Sequence, residues 1–310
     1  NFANKIWNAS RFVLMNLEGV DDNEIDLNDL TVADKWILHK LNKTTDEVNK
    51  NIQTYRIGEV ASILYDFFWS VYCDWYVEVA KVQLSNPQQK LNTQRVLRYV
   101  LERTLRLLHP IMPHITEKIW QLIPGTVYKN DAQFIMLSKY PEYQPELNNP
   151  QAEENMNKII EAIRSIRNIR QTLNIPAGKQ IKLDIWSEQD EDALFEQAAS
   201  IISRMARIEE LQIKAGTPSS IPAQAATAVV SNSRFIVPLA GLIDIDKEVQ
   251  RQKKKLEALD KEKMSLQGRI NNPKFVENAP EEVINQTKER IEEINSQYAA
   301  IEELLKSLVG

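Results

Sequence analysis

Lys5, Asn8 and Phe12 stand three and then four residues apart, so a helix carries them along one side, with Arg11 beside them three residues after Asn8. A cation, an amide and a flat ring on one helical face suit an unpaired RNA loop. The ring stacks on a splayed base, and the amide and ammonium reach its edge. The same spacing also fits Phe12 as core with the others solvated. A second group is the run Lys247, Arg251, Lys253, Lys254, Lys255, Lys261, Lys263 and Arg269, opposed in that span only by Glu248, Glu257, Asp260 and Glu262. Its excess of four positive charges sits in a chain of formal net charge −5, so any polyanion site is a local patch. Phosphate contact is one meaning of such a run, and an ordinary charged helix surface is the other. Arg164, Arg167 and Arg170, spaced by three on one helix, form a third candidate, which a solvated face would also explain.

Catalytic chemistry has no comparable set. The three histidines, His39, His109 and His114, form no cluster of metal-ligand spacing with the lone cysteine. No glycine-rich phosphate loop and no strand–turn–helix nucleophile elbow occurs. Lys263-Met264-Ser265 echoes a nucleotide-binding signature but lies within a helical repeat and lacks the lysine that would follow. Cys73 sits in a strongly apolar helical run, which favours inert packing, and a single cysteine allows no intrachain disulfide, as a reducing cytoplasm would have it. The expectation is a binding chain, without catalytic, metal-binding or cofactor-binding residues of its own.

Helices must position these groups. With 43% hydrophobic residues, 8 glycines and 13 prolines in 310 residues, long helices are favoured over a many-stranded sheet. Ile6, Val13 and Leu17 give residues 1–17 a helical stripe. After a polar loop from Asp21 to Asp29, Thr31 with Asp34 opens a second helix in the manner of a capping box. A long aromatic helix from about Ile57 to Leu84 is expected to be the central post of a bundle, wetted only at its ends. Pro87 opens the next helix, which stops at His109-Pro110, and Pro113 starts a short one to Ile123. Pro141, Pro145 and Pro150 mark a linker. A helix from Glu153 to Leu173 leads to the alternating strand Ile181–Trp186, a helix over 193–205, and strands at 210–214, 227–230 and 234–238, the last two joined through Ser231-Asn232-Ser233.

The C-terminal pattern is the most regular. Residues 249, 256, 263 and 270 interleave with 252, 259 and 266, and Ile284, Thr287, Ile291, Ile294, Tyr298, Ile301, Leu305 and Leu308 keep the 3-4 spacing. Two heptad helices about a proline-containing turn make an antiparallel coiled-coil hairpin, expected to share little core with the rest. The fold class is therefore mainly α, with a helical bundle (1–145), a small α+β subdomain (146–241) and a coiled-coil arm (242–310). The start, Asn1-Phe2-Ala3-Asn4, reads as the interior of a helix, with no signal peptide, and suggests a cut from a longer protein. The richest apolar stretch, Phe67 to Leu84, is broken by Asp74, Glu78 and Lys81, so no membrane span is expected.

Several segments resemble the C-terminal part of class I valyl-tRNA synthetases. Asn1-Phe2-Ala3-Asn4-Lys5 with Trp7-Asn8-Ala9-Ser10-Arg11-Phe12-Val13 is similar to the first helix of that family's anticodon-binding bundle. Phe68-Trp69 with Cys73-Asp74-Trp75-Tyr76-Val77-Glu78 and the stretch from Leu108 to Glu117 resemble motifs shared with the isoleucine and leucine enzymes. Ile166-Arg167-Asn168-Ile169-Arg170 with Asn174-Ile175-Pro176, and Asn272 to Val283, resemble the valine enzymes' following segment and arm tip. The resemblance implies that Lys5, Arg11 and Phe12 read an anticodon loop and that the arm reaches the outer corner of tRNA. It implies a cytoplasmic monomer bound to valine tRNA, with ATP and magnesium used in parts of the parent enzyme outside this sequence. The alternatives are the same region of an isoleucine or leucine enzyme, or a coiled-coil module that binds protein.

Overall fold

The computed structural model describes residues 1–125, 132–187 and 191–309. Gly310, the end of the expected arm, and the side chains of Lys274 and Val276 in its tip motif lie outside the described residues. The chain divides into two compact units, Asn1–Ile160 and Glu161–Gly310.

The first unit is helical: α1 (Phe2–Asn16), α2 (Val32–Gln53), α3 (Ile57–Asp66), a π-helical segment (Phe67–Tyr76), α4 (Val77–Gln83), α5 (Pro87–Leu108) and α6 (Pro113–Trp120). Thr31 and Asp34 form the full capping box of α2, and the Asp34 carboxylate also accepts the Tyr76 hydroxyl at 2.7 Å. Burial pushes the Asp34 carboxyl above its ordinary range, so these donors are what keep a buried acid tolerable. Pro87 stands in the first turn of α5, where its missing N–H costs nothing, and the Asn86 side chain caps the Gln88 N–H.

Two expectations need correcting here. The run from Ile57 is not one α-helix, because ten of its residues wind as a π-helix. Nor is it the post wetted only at its ends, since Tyr65, Asp66, Ser70 and Asp74 in its middle all face solvent. That place belongs to α5, buried without interruption from Val96 to Leu108. Its charged residues hid this in the sequence, and each has a partner inside. Arg98 donates to the Asn23 carbonyl at 2.8 Å, Arg103 to Gln144 Oε1 at 2.9 Å, and Arg106 to Glu102 Oε2 at 2.8 Å. The acidic loop and the proline-rich strap are thereby fastened to α5. Asn42 clips the strap from α2, exchanging two hydrogen bonds with the Gln144 backbone at 2.7 and 2.8 Å.

Glu153 joins α7 (Pro150–Thr172) to α2 within this unit, taking Lys40 at 2.9 Å, Lys43 at 3.1 Å and His39 Nε2 at 3.0 Å. Burial alone would raise its carboxyl, but the hydrogen bonds from Lys40, Lys43 and His39 outweigh it and hold it at about 2. A folded-state value below the unfolded one means stability present above about pH 4.5 and lost as pH falls toward 2. Acid titration followed by circular dichroism should therefore show Glu153→Gln losing less stability over that window than the parent chain, with the remaining loss coming from other carboxyls such as Asp21. Parallel acid-unfolding curves would refute this.

The second unit holds the rest of α7, then β1 (Ile181–Ser187), α8 (Glu191–Gln197), α9 (Ala199–Ala206), β2 (Ile208–Ala215), β3 (Ala225–Val230) and β4 (Ser233–Pro238). The sheet order is β2-β1-β4-β3, with β1 and β2 parallel and the other pairs antiparallel. Ile181, Leu183 and Ile185 point into the core, and Phe235 of β4 meets Phe195 of α8 edge to face at 5.5 Å. The helix expected over 193–205 is two helices parted at Ala198.

α10 (Ile245–Ile270), α11 (Pro273–Asn278) and α12 (Glu281–Val309) complete the unit. α10 and α12 run antiparallel, with Leu259, Ile294 and Ile301 buried between them and Leu256, Leu266 and Leu305 packed around. Arg290 clamps Glu262 across the pair at 2.9 Å. The foot of this hairpin shares more with the sheet portion than its sequence suggested. Arg251 donates to the Thr172 carbonyl, and Ala300 and Leu304 line a cleft of about 670 Å³ with Ile169, Leu173 and Ala226. Among the described residues, no helix is long and apolar enough to cross a membrane.

Candidate nucleic-acid interface

The buried stripe of α1 runs through Ile6, Ser10, Val13 and Leu17. At 100° per residue Asn8 points almost straight away from that stripe, with Lys5 and Phe12 on one side of it and Arg11 on the other. Lys5 and Phe12 are half-buried, and Asn8 and Arg11 are exposed. Lys5 Nζ lies 2.9 Å from Asp74 Oδ1 and 4.3 Å from the centroid of Trp69. Lys81 Nζ stands 5.5 Å from the Phe12 ring centroid and 2.6 Å from Glu78. The face read from the sequence thus acquires a second wall of Trp69, Asp74 and Lys81, contributed by the π-helical segment and α4. Sequence reasoning missed these residues; the aromatic run signalled a core helix and gave no sign of its changed pitch.

On α10 the seven-residue spacing of Lys247, Lys254 and Lys261 sets them in a line roughly opposite the apolar seam, about 10 Å apart. Lys253, Lys254, Lys255, Lys261 and Arg269 are exposed, with no ion-pair partner among the described residues. Lys247 pairs with Asp244 at 3.0 Å, and Arg251 with Glu248 at 2.6 Å. Lys263 is half-buried at its heptad position. α12 carries the opposite charge: Glu281, Glu282, Glu289, Glu292, Glu293, Glu302 and Glu303 outnumber Lys288, Arg290 and Lys306. One flank of the hairpin is therefore basic and the other acidic.

The arginines of α7 do not share a face. A step of three residues turns 60° short of a full circle, so Arg170 lies about 120° from Arg164. Arg164 and Arg167 are exposed, and Arg167 donates to the Met205 carbonyl at 2.9 Å. Arg170 is buried, holding the carbonyls of Pro176 at 3.0 Å and Lys179 at 2.6 Å.

The other reactive residue types have structural surroundings. Burial pushes the Cys73 thiol up to about 12, far from nucleophilic. His39 is buried between Glu153 and the Asn149 N–H, and His109 Nδ1 meets Thr116 Oγ1 at 2.7 Å. Among the described residues, no group of three or more His, Cys, Asp or Glu is placed to hold a metal ion.

Two stretches of the chain match models of known families. Residues 34–185 match the family model for the anticodon-binding domain of tRNA ligases, and residues 244–309 match that for the valyl-tRNA synthetase tRNA-binding arm. Over 314 residues and 100% of the chain, it is 41% identical to the valine–tRNA ligase of Bacillus subtilis. The chain belongs to the valyl-tRNA synthetase family. The family's members from Oceanobacillus iheyensis and Synechocystis sp. are 40% and 37% identical, each over 99% of the chain. These matches cover 34–35% of the relatives, so the chain spans about a third of the length of the valyl-tRNA synthetases it resembles. α1 precedes the anticodon-domain match but falls within the full-length alignments.

Proposed function

We propose that this chain is the tRNA-gripping part of a valine–tRNA ligase. In this reading α1 meets the anticodon loop of valine tRNA through Lys5, Asn8, Arg11 and Phe12. Lys253, Lys254, Lys255, Lys261 and Arg269 meet phosphates near the outer corner of the tRNA. The exposed lysine line on α10, without carboxylate partners in a chain of net charge −5, carries the proposal. Matches to the anticodon-binding and tRNA-binding-arm families support it. Arg164 and Arg167 stay as secondary candidates, whereas Arg170 and Arg251 hold backbone carbonyls of their own chain. The setting is the cytoplasm, the working form is a monomer, and ATP and magnesium are used by the longer enzyme outside these residues. A gel-shift series comparing a valine tRNA transcript with an unrelated tRNA tests the proposal. Preferential retention of the valine tRNA is expected; no retention of either would return the hairpin to a protein-binding role.

Phe12 supplies a sharper check. Because its ring is half-buried, Phe12→Ala should cost far less stability than the roughly 3–5 kcal/mol of a core phenylalanine. Loss of one stacked base should weaken RNA binding by about 1–3 kcal/mol. Filter binding and a melting curve on the same preparation separate the two. A large fall in melting temperature with unaltered affinity of the folded protein would make Phe12 a packing residue.

A further inference from the structure

Lys5 is held in a way that decides what kind of contact it can make. Its ammonium has three N–H donors. One points to Asp74 Oδ1 at 2.9 Å, and the charge lies 4.3 Å above the face of Trp69. That indole is also stacked on Tyr65 at 5.5 Å with an interplanar angle of 20°, and Tyr65 packs against Phe2 at 4.8 Å. Trp69 is thus held by Tyr65 as well as set against Lys5. Trp69 and Asp74 stand five residues apart, and an α-helix would turn them about 140° away from each other. The π-helical winding of Phe67–Tyr76 lets residues five apart approach one face, so that both reach Lys5. Asp74 is about half exposed and joined to nothing else among the described residues, so its visible role is this ammonium.

We propose that Asp74 and Trp69 are positioning residues that make Lys5 a directed hydrogen-bond donor to a base edge rather than a phosphate counter-ion. The neighbouring carboxylate offsets most of the ammonium's charge, which removes its pull on phosphate at a distance. Two N–H groups, with no hydrogen-bond acceptor among the described residues, remain to find one, and the fixed geometry limits where it can be. Such a donor discriminates between bases, whereas a mobile lysine binds any phosphate. This rests on α1 being the surface that meets the anticodon loop.

The test measures binding of the chain to a Bacillus subtilis valine tRNA transcript, and to transcripts with each unpaired anticodon base replaced, across a range of salt. Lys5→Ala should cut discrimination at one anticodon position about tenfold while leaving the salt slope nearly unchanged. Asp74→Asn should lose the same discrimination at the same position. It should also steepen the salt slope by about 0.7, as the released lysine gains a phosphate. Asp74→Glu, which restores the carboxylate, should recover part of the discrimination, a recovery that mere loss of surface charge would not produce. Trp69→Phe keeps a ring and guards against a folding defect in larger changes. If Lys5→Ala lowers discrimination but Asp74→Asn changes neither discrimination nor slope, Lys5 reads without help and the positioning role is wrong. If Lys5→Ala changes neither, the anticodon reading of α1 fails, and this inference fails with it.

Discussion

Reversing Lys254 and Lys261 together to glutamate should weaken valine-tRNA binding by nearly two orders of magnitude at 0.1 M salt, with the deficit closing toward 1 M. Both side chains lie on the outward line of α10, exposed and without ion-pair partners among the described residues. Each phosphate contact releases condensed counterions and contributes about 0.9 to the slope of log affinity against log salt. Two lost contacts therefore lower the slope by about 1.8. The control is Lys288→Glu with Lys306→Glu, the same change of net charge placed on the acidic helix α12. If only total charge matters, both pairs will flatten the slope equally. If the α10 flank is the phosphate surface, the α12 pair will flatten it much less. Equal slopes for the parent and the Lys254/Lys261 variant would remove the hairpin from tRNA binding. Substitution suits this question better than deleting the hairpin from residue 246, because its foot is packed with α7 and β3 in the second unit.

Glu102→Ala should be among the most damaging single changes to the first unit, at about 3–5 kcal/mol. Glu102 and Arg106 are one turn apart in the fully enclosed part of α5, and their side chains are 1% and 9% exposed. Taking either partner alone leaves the other charge buried and uncompensated. Arg106 also holds the Lys139 carbonyl at 3.0 Å, so the strap should loosen along with the helix. The double change Glu102→Leu, Arg106→Leu should recover much of the loss, because two apolar side chains leave no stranded charge. Denaturant unfolding followed by helical circular dichroism measures both, fitted with separate transitions for the two units. A loss below about 1 kcal/mol for Glu102→Ala would mean that water reaches α5.

These expectations differ in how far the sequence led to them. Whatever depends on neighbours three, four or seven residues away was legible in the chain alone. Thr31 and Asp34 announced a capping box, Pro87 and Pro113 marked first turns, and the alternation over Ile181–Trp186 marked a strand. The 3-4 spacing from Ile284 to Leu308 picked out the residues that are buried or half-buried along α12. The family resemblance was legible for the same reason, since it rests on short runs such as Asn272 to Val283. The cation–amide–ring face of α1 and the lysine line of α10 also follow from helical geometry.

Tertiary structure decided the rest, because burial and partners come from residues far away in the chain. Arg98, Glu102, Arg103 and Arg106 look like a solvated face until the loop near Asp22 and the strap near Gln144 close over them. Arg170 and Arg251 resemble RNA contacts, yet each is drawn to a carbonyl of its own unit. No local signal told that Phe67–Tyr76 would wind with more residues per turn, and that winding brings Asp74 and Trp69 to Lys5, which is 69 residues from Asp74. Sequence periodicity chose which side of each helix carries charge. Only packing decided which of those charges are spent on the protein itself and which remain for a ligand, because an ion pair or a hydrogen bond needs a partner whose position the local chain does not specify.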